Sequence, residues 1–268
     1  MKLGFIGAGN MATAIIKGLL TKKFLLASDI YITTSSIEHT EAVSRSLGIQ
    51  GADSNADLIK TVDIVVIAVK PHIAPIILNE QRELLKIQNP VLVSIASGLT
   101  LDNLAELTSP EQKIVKVMPN MNVTIGQSVS AICGNQLATQ EEITMVTDLF
   151  NVVGTTYQIA EKDFRNFTAL AGCSPAFTYL YIDAMSRAGV KNGLPKNMAT
   201  KIAAETVKGS AQMVLDSDDT PWDLIDKVCS PGGTTIAGLV ALEEDHFMAT
   251  VIKGLEATIK RDQELENA

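Results

Sequence analysis

The sequence predicts an α/β protein whose first part is a doubly wound sheet and whose second part is all helix. Three observations predict this. From residue 2 to about residue 159, short runs rich in Val and Ile alternate with helix-like segments, the pattern of parallel strands joined by helical crossovers. A glycine turn, Gly7-x-Gly9-x-x-Ala12, directly follows the first of these runs and opens a helix. After about Glu161 the strand-like runs stop, and stretches rich in Ala, Leu and Met take over. The division falls at residues 1–160 and 161–268, and a chain of 268 residues can supply two domains with a core each.

The predicted strands are 2–6, 30–33, 64–69, 91–95, 114–118, 129–133 and 155–159. The run Ile64, Val65, Val66, Ile67, Ala68, Val69 is apolar at every position, as expected of a strand covered by helices on both faces. The first helix carries Ile15, Ile16, Leu19 and Leu20 on one face, so it can lie against the sheet. Thr139 and Glu142 have the spacing of a capping box, in which each side chain satisfies a free amide at the helix start, and they predict a helix to about Asn151. In the second part, 168–182 is apolar almost all round and needs cover on every side. One helical domain of this size provides little, which predicts that a second subunit supplies the rest.

Composition narrows the function. The formal net charge is −8, and no clustered Lys and Arg form a face for phosphate backbones, which excludes a nucleic-acid partner. Cys133, Cys173 and Cys229 are odd in number, far apart and without a C-x-x-C pair, so neither a disulfide framework nor a metal site is expected, and a reducing cytoplasm fits. Residues 1–20 superficially imitate a leader peptide, but Asn10, Thr13 and Lys17 interrupt the apolar run. No stretch is long and apolar enough to predict a membrane partner.

The chemistry begins at the glycines. Gly7 permits a tight turn, Gly9 lets the backbone approach a pyrophosphate, and Ala12 allows close helix packing, while the helix start offers free amides to the anion. An ordinary glycine turn is the other reading, and the strand before with the helix after favours a Rossmann-type dinucleotide site. At the end of the second strand stand Thr33, Thr34, Ser35 and Ser36. No carboxylate there opposes a 2′-phosphate and no Arg holds one, so NADPH is preferred and NADH stays possible; a plain polar turn explains the same residues equally well. Val69-Lys70-Pro71 and Met118-Pro119-Asn120 lie just beyond strand ends, where open parallel sheets bind ligands. Lys70 could meet cofactor or substrate and Asn120 the nicotinamide carboxamide, although each alone is more often a turn residue. In the helical part, Ser230-Pro231-Gly232-Gly233-Thr234-Thr235 precedes a helical run and has the makings of an anion nest suited to a small carboxylate. A capped helix with a flexible lead-in is its rival.

These motifs together resemble the pyrroline-5-carboxylate reductase family. The resemblance rests on Gly4-Phe5-Ile6-Gly7-Ala8-Gly9-Asn10-Met11-Ala12, Ala68-Val69-Lys70-Pro71, Val117-Met118-Pro119-Asn120 and Ser230 through Gly238, in that order and across the whole chain. It implies NAD(P)H-dependent reduction of 1-pyrroline-5-carboxylate to L-proline, the last step of proline biosynthesis. It also implies a C-terminal helical dimerisation domain, with dimers often assembling into a decamer of five dimers. By motif, Ile6 to Met11 would bind the cofactor together with Thr34 and Ser35, and Asn55 would lie near its adenosine phosphate. Ala68, Val69, Lys70, Pro71 and Asn120 would complete that set. Ser230, Gly232, Gly233, Thr234 and Thr235 would hold the substrate with Lys70, the Thr235 hydroxyl lying near the ring nitrogen as the catalytic group. One departure stands out: the family usually reads Ser-Gly-Ser-Gly-Pro-Ala where this chain has Ala171-Gly172-Cys173-Ser174-Pro175-Ala176. Bulkier groups there could narrow the site, while a buried small residue is the plainer reading of Cys173.

Imine reduction suits the absence of His from the motifs, because a cyclic imine is basic enough that an appreciable share can arrive already as iminium, and no strong general acid is needed. His39, His72 and His246 are expected to be surface or structural. A 3-hydroxyacid dehydrogenase would need a base, commonly a Lys on the helix at the domain junction, and none lies between Phe164 and Arg187. A non-catalytic NADP-binding sensor is the other rival, favoured only by the altered 171–176 turn. The expectation for the catalytic site is that a diphosphate cradle near Gly7 and an acid cradle near Gly233 meet across a subunit boundary.

Overall fold

A computed structural model describes residues 1–266. The chain forms two compact units, one of Met1–Gly172 together with the C-terminal residues from Asp262, the other Cys173–Arg261.

The first unit is an eight-stranded sheet with helices on both faces. In chain order it contains β1 (Leu3–Ile6), α1 (Asn10–Thr21), β2 (Ile30–Thr33), α2 (Ile37–Leu47), β3 (Gln50–Gly51), α3 (Asn55–Thr61) and β4 (Ile64–Ile67). It continues with α4 (Ala74–Glu80), α5 (Arg82–Gln88), β5 (Val91–Ser94), α6 (Leu101–Leu107), β6 (Ile114–Pro119), β7 (Ser128–Gly134), α7 (Gln140–Asn151) and β8 (Gly154–Gln158). The segment closes with a short α8 (Phe164–Phe167) and a π-helical stretch, Thr168–Cys173.

The strand order is β3-β2-β1-β4-β5-β6-β7-β8, and the chain reverses its direction across the sheet between β1 and β4. Side-chain alternation explains why the strands are apolar throughout. Ile64 and Val66 of β4 enter a core with Phe5, Ile16 and Phe150, whereas Val65 and Ile67 enter a second core with Leu58, Leu78 and Leu104. The first helix buries Ala12, Ile15, Ile16 and Leu19 as its spacing predicts, with Leu20 only partly covered. The Thr139–Glu142 capping box forms at the start of α7.

Two features depart from the sequence expectation. The short β3 is absent from the predicted strands, since Gln50-Gly51 offers no β-branched run. The strands are also not all parallel: β7 pairs antiparallel with β6, and β8 runs parallel to β7. The physical reason lies in residues 120–127, which form only a 3-10 turn, Met121–Ile125, and then Gly126 at φ +68°. A parallel return needs a crossover of roughly a dozen residues or more. At the sheet's outer edge, the Asn151 side chain accepts a hydrogen bond from the Thr156 amide of β8 at 2.9 Å.

The second unit is built from α9 (Ser174–Lys191), α10 (Lys196–Asp216), α11 (Pro221–Val228), α12 (Thr234–Glu244) and the larger part of α13 (Phe247–Glu266). Gly189 lets α9 and α10 approach closely, since a Cβ there would stand 3.1 Å from the Ala199 methyl. Polar bonds tie the same pair: Lys196 Nζ donates to Asp183 at 2.6 Å and to the Ser186 hydroxyl at 2.9 Å. A Thr220–Asp223 capping box starts α11. Within the chain, α9 buries only Pro175 and Ser186, and α11 and α12 bury no residue. Among the described residues no helix is long and apolar enough to cross a membrane, and no acidic, His or Cys cluster could hold a metal.

Candidate functional site

The glycine turn joins the carboxyl ends of β1, β2 and β4. Gly7 adopts φ +101° and donates its amide to Thr33 O at 2.9 Å, and a Cβ on it would meet Ala68 O at 2.6 Å. Only glycine fits both constraints. Gly9 differs: it is the N-cap of α1 in extended conformation, no side chain caps the helix, and nothing lies within 4 Å of where its Cβ would be. The first amides of α1, from Asn10 and Met11 onward, therefore face a cradle that a side chain at Gly9 would fill, which is the arrangement a pyrophosphate requires. Ile6 beneath the turn and Ala12 behind it are buried, and Ala8 O accepts from the Thr13 hydroxyl at 3.3 Å.

At the end of β2, Thr33 donates its hydroxyl to Asn55 Oδ1 at 2.7 Å. This brings Asn55, the first residue of α3, to the strand end where a ribose would lie. The Thr34 hydroxyl is engaged by Ser36 O and the Thr40 hydroxyl at 3.0 Å each, and Ser36 caps α2 by accepting from the His39 amide. Ser35 is exposed. The Glu38 carboxylate in the first turn of α2 is turned back on its own amide and the Ser36 hydroxyl, which hold its pKa below the usual carboxylate range. The residues fit an adenosine ribose with a 2′-phosphate.

At the ends of β4 and β5 the chain lines the crevice. Ala68 N donates to Ile6 O at 2.9 Å, Val69 touches Gly7, and Lys70, exposed before Pro71, starts a turn through its carbonyl. Beyond β5, Ile95, Ala96, Ser97 and Gly98 line a cavity of about 50 Å³ with Lys116, Met118 and Thr168.

The outward face of β6 contains residues that sequence reasoning missed. Lys116 Nζ pairs with Glu161 at 3.1 Å and lies 4.8 Å from the centre of the Phe164 ring. The same Glu161 oxygen accepts the Leu101 amide at 2.7 Å. Met118 Sδ stands 3.0 Å from the Thr168 hydroxyl. Asn120 is nearly buried, and its side chain is engaged by protein: Oδ1 accepts from the Asn122 and Val129 amides at 3.2 and 3.3 Å, and Nδ2 donates to Ala171 O at 3.0 Å. Its amide thus holds backbone on both sides. The available signal was spacing, since positions 116, 118 and 120 share one face of a strand. Cys133 on neighbouring β7 has its thiol pushed up to about 11 by burial and by the Glu161 carboxylate, against the opposing Lys116 charge. It is a packing residue.

In the second unit, Gly233 N donates to Ser230 O at 3.0 Å, and Gly232 adopts φ +67°. Gly233 then serves as N-cap of α12 without any side-chain cap. The amides of Thr234 and Thr235 begin the helix, and both side chains are exposed beside Ser230. Glycine stands at the one position of positive φ in this turn. His39, His72 and His246 are exposed and outside both turns.

Comparison with known proteins gives the family and the fold. Residues 161–265 match the family described as pyrroline-5-carboxylate reductase dimerisation, and residues 2–98 match one described as NADP oxidoreductase coenzyme F420-dependent. The pyrroline-5-carboxylate reductase of Escherichia coli (strain K12) is 37% identical over 267 residues, covering 100% of this chain and 99% of the relative. A crystal structure of 1-pyrroline-5-carboxylate reductase from Streptococcus pyogenes superposes with a TM-score of 0.87 at 42% identity, covering 98% of each chain. The Plasmodium falciparum pyrroline carboxylate reductase, solved with NADP bound, gives 0.87 at 35% identity over 99% of this chain and 98% of its own.

Proposed function

This chain belongs to the pyrroline-5-carboxylate reductase family, and from that premise we propose that it reduces 1-pyrroline-5-carboxylate to L-proline with NAD(P)H, the last step of proline biosynthesis. The observation that carries the reading is that two of the helix starts without a side-chain cap, at Gly9 and at Gly233, each follow a glycine turn and each suit an anion.

The Rossmann-type unit holds the cofactor. Gly7, Ala8, Gly9, Asn10 and Met11 take the diphosphate, while Thr34, Ser35 and Asn55 take the adenosine ribose and its phosphate. Ala68, Val69, Lys70 and Pro71 border the nicotinamide half. NADPH is the preferred form, supported by the absence of a carboxylate at Thr34, Ser35 and Ser36 and by the Glu38 carboxylate being turned back toward its own helix start. The cofactor supplies a hydride.

Residues 161–268 form the substrate and dimerisation domain. The amides of Thr234 and Thr235, with the Ser230 and Thr234 hydroxyls, hold the substrate carboxylate, and Lys70 adds a positive charge. The substrate's C=N carbon accepts the hydride most readily when its nitrogen is protonated, and the Thr235 hydroxyl orients that N–H. The chain's contribution is orientation and charge placement rather than strong acid catalysis. The enzyme works as a cytoplasmic homodimer, supported by the match to a dimerisation family and by the uncovered apolar face of α9; family resemblance extends this to a decamer of five dimers.

The test follows NADPH and NADH absorbance with pyrroline-5-carboxylate supplied, beside an arm with 3-hydroxyacids and NADP. Imine-dependent oxidation, faster with NADPH, is the expected result. Hydroxyacid oxidation, or cofactor binding without turnover, would overturn the reading.

A further inference from the structure

We propose that Asn120 is a positioning residue for hydride transfer, acting through the Ala171 carbonyl rather than on substrate or cofactor. The inference rests on the reading of unit 1 as the nicotinamide-binding unit.

Side chains two apart on a strand point the same way and stand about 6.6 Å apart, close to the rise of one helical turn at roughly 5.4 Å. Lys116 and Met118 of β6, with Asn120 in extended backbone just past the strand's end, use this near-match to grip the segment that follows β8. The lysine takes Glu161 and lies on Phe164, Met118 meets Thr168 and stands 3.4 Å from where a Cβ on Gly172 would be, and Asn120 takes Ala171. The gripped segment is not ordinary helix. Residues 168–173 are π-helical, a widened turn that is rare and recurs at functional sites. It also borders the crevice beyond β5, where Thr168 and Phe164 line one cavity with Ile95, Ala96, Ser97 and Gly98. That is the carboxyl edge of the sheet, where the reacting half of a dinucleotide lies in such folds.

The two ends of the Asn120 amide do separate jobs. Its oxygen fixes the 120–129 loop through the Asn122 and Val129 amides, which is a local structural task. Its nitrogen reaches across 51 residues of sequence to Ala171, and this bond, of the two jobs, is the one that holds the π-helical segment bordering the crevice. Asn120→Asp keeps the acceptor and shape while replacing the donor by an oxygen that repels the Ala171 carbonyl.

The test measures kcat, KM for NADPH, the melting temperature and the deuterium isotope effect on kcat using NADPH labelled at the transferred hydrogen. For Asn120→Asp we expect kcat to fall about 10- to 100-fold, the scale of a ~1 Å misplacement, KM for NADPH to hold within about threefold, and the isotope effect to rise above the wild-type value. A merely structural defect lowers the folded fraction and leaves the isotope effect where it was. Asn120→Ser, whose hydroxyl cannot span to Ala171, should behave alike and carries the test should the Asp variant fail to fold. A folded variant with wild-type kcat, or with lowered kcat and an unchanged isotope effect, overturns the proposal. Wild-type protein that reduces no imine overturns the functional reading itself, so the two failures are distinct.

Discussion

The two units of this chain differ in how they reach stability. Met1–Gly172 is self-sufficient: each of the largest fully buried side chains, from Leu3 and Phe5 to Phe150, belongs to it, and the sheet separates two apolar clusters of its own. Cys173–Arg261 is the reverse. Its helices are well formed, yet Leu180 is 71% exposed and Leu215 73%, with Phe177, Trp222 and Met248 also on the surface of the single chain. An apolar surface of that extent marks an association site. Unit 1 is thus a fold that encloses its core, whereas unit 2, which matches a dimerisation family, leaves much of its apolar surface uncovered within the chain.

The largest test of this contrast is Leu180→Asp. Uncovering one leucine forfeits about 1.5–3 kcal/mol, and a charge placed there adds desolvation, so the dimer dissociation constant should rise at least ~10-fold, at about 1.4 kcal/mol per decade. Sedimentation velocity over a concentration series reads this, and an unchanged association constant would show that α9 is not the contact. Next comes Gly9→Val in unit 1. The site around its Cβ is open and its φ of −72° suits any residue, so the melting temperature should barely move while NADPH affinity drops by about 100-fold or more, as ~3 kcal/mol of lost anion contact would give. Fluorescence titration decides it, and retained affinity would mean that the pyrophosphate lies elsewhere. Thr235→Ala in unit 2 should lower kcat about 10- to 100-fold with NADPH binding intact. Undiminished turnover would remove the hydroxyl from the mechanism.

The smallest effect is on acid stability and belongs to unit 1 alone. Burial raises the pKa of Glu142, but hydrogen bonds from Lys113 and from the Thr139 amide and hydroxyl, with the Lys113 charge, outweigh it and leave the group below its ordinary value. A depressed folded-state pKa contributes stability above the unfolded value, and that stability is lost as pH falls through the folded one. Lys113→Met should therefore cost under about 1 kcal/mol near neutrality, given partial exposure, and the difference from wild type should shrink on acidification. Denaturant unfolding at several pH values checks the sign, and a cost that grew toward low pH would contradict it.

How far the sequence disclosed this molecule depended on the range of the interaction. Strands came through because the Ile64–Ile67 run is apolar at each position, and the α7 cap because Thr139 and Glu142 lie three residues apart. The glycine turn was legible for the same reason: its demands on Gly7 are met by immediate neighbours in the chain and by adjoining strands. Strand direction was not, because alternation reveals which face a residue takes and says nothing of which way β7 runs; only the brevity of 120–127 forces the reversal. The bond from Asn120 to Ala171 was not legible since its partner is remote in sequence, and an amide in a turn looks the same whether it meets a ligand or a carbonyl. The π stretch at Thr168–Cys173 leaves no periodic trace in six residues.

The bond from the Asn151 side chain to the Thr156 amide bears on how copies of this protein can join. An open rim on an eight-stranded sheet invites another chain to extend it, the first step toward fibrous growth. With that donor already taken on β8, this rim offers a poorer template for an added strand.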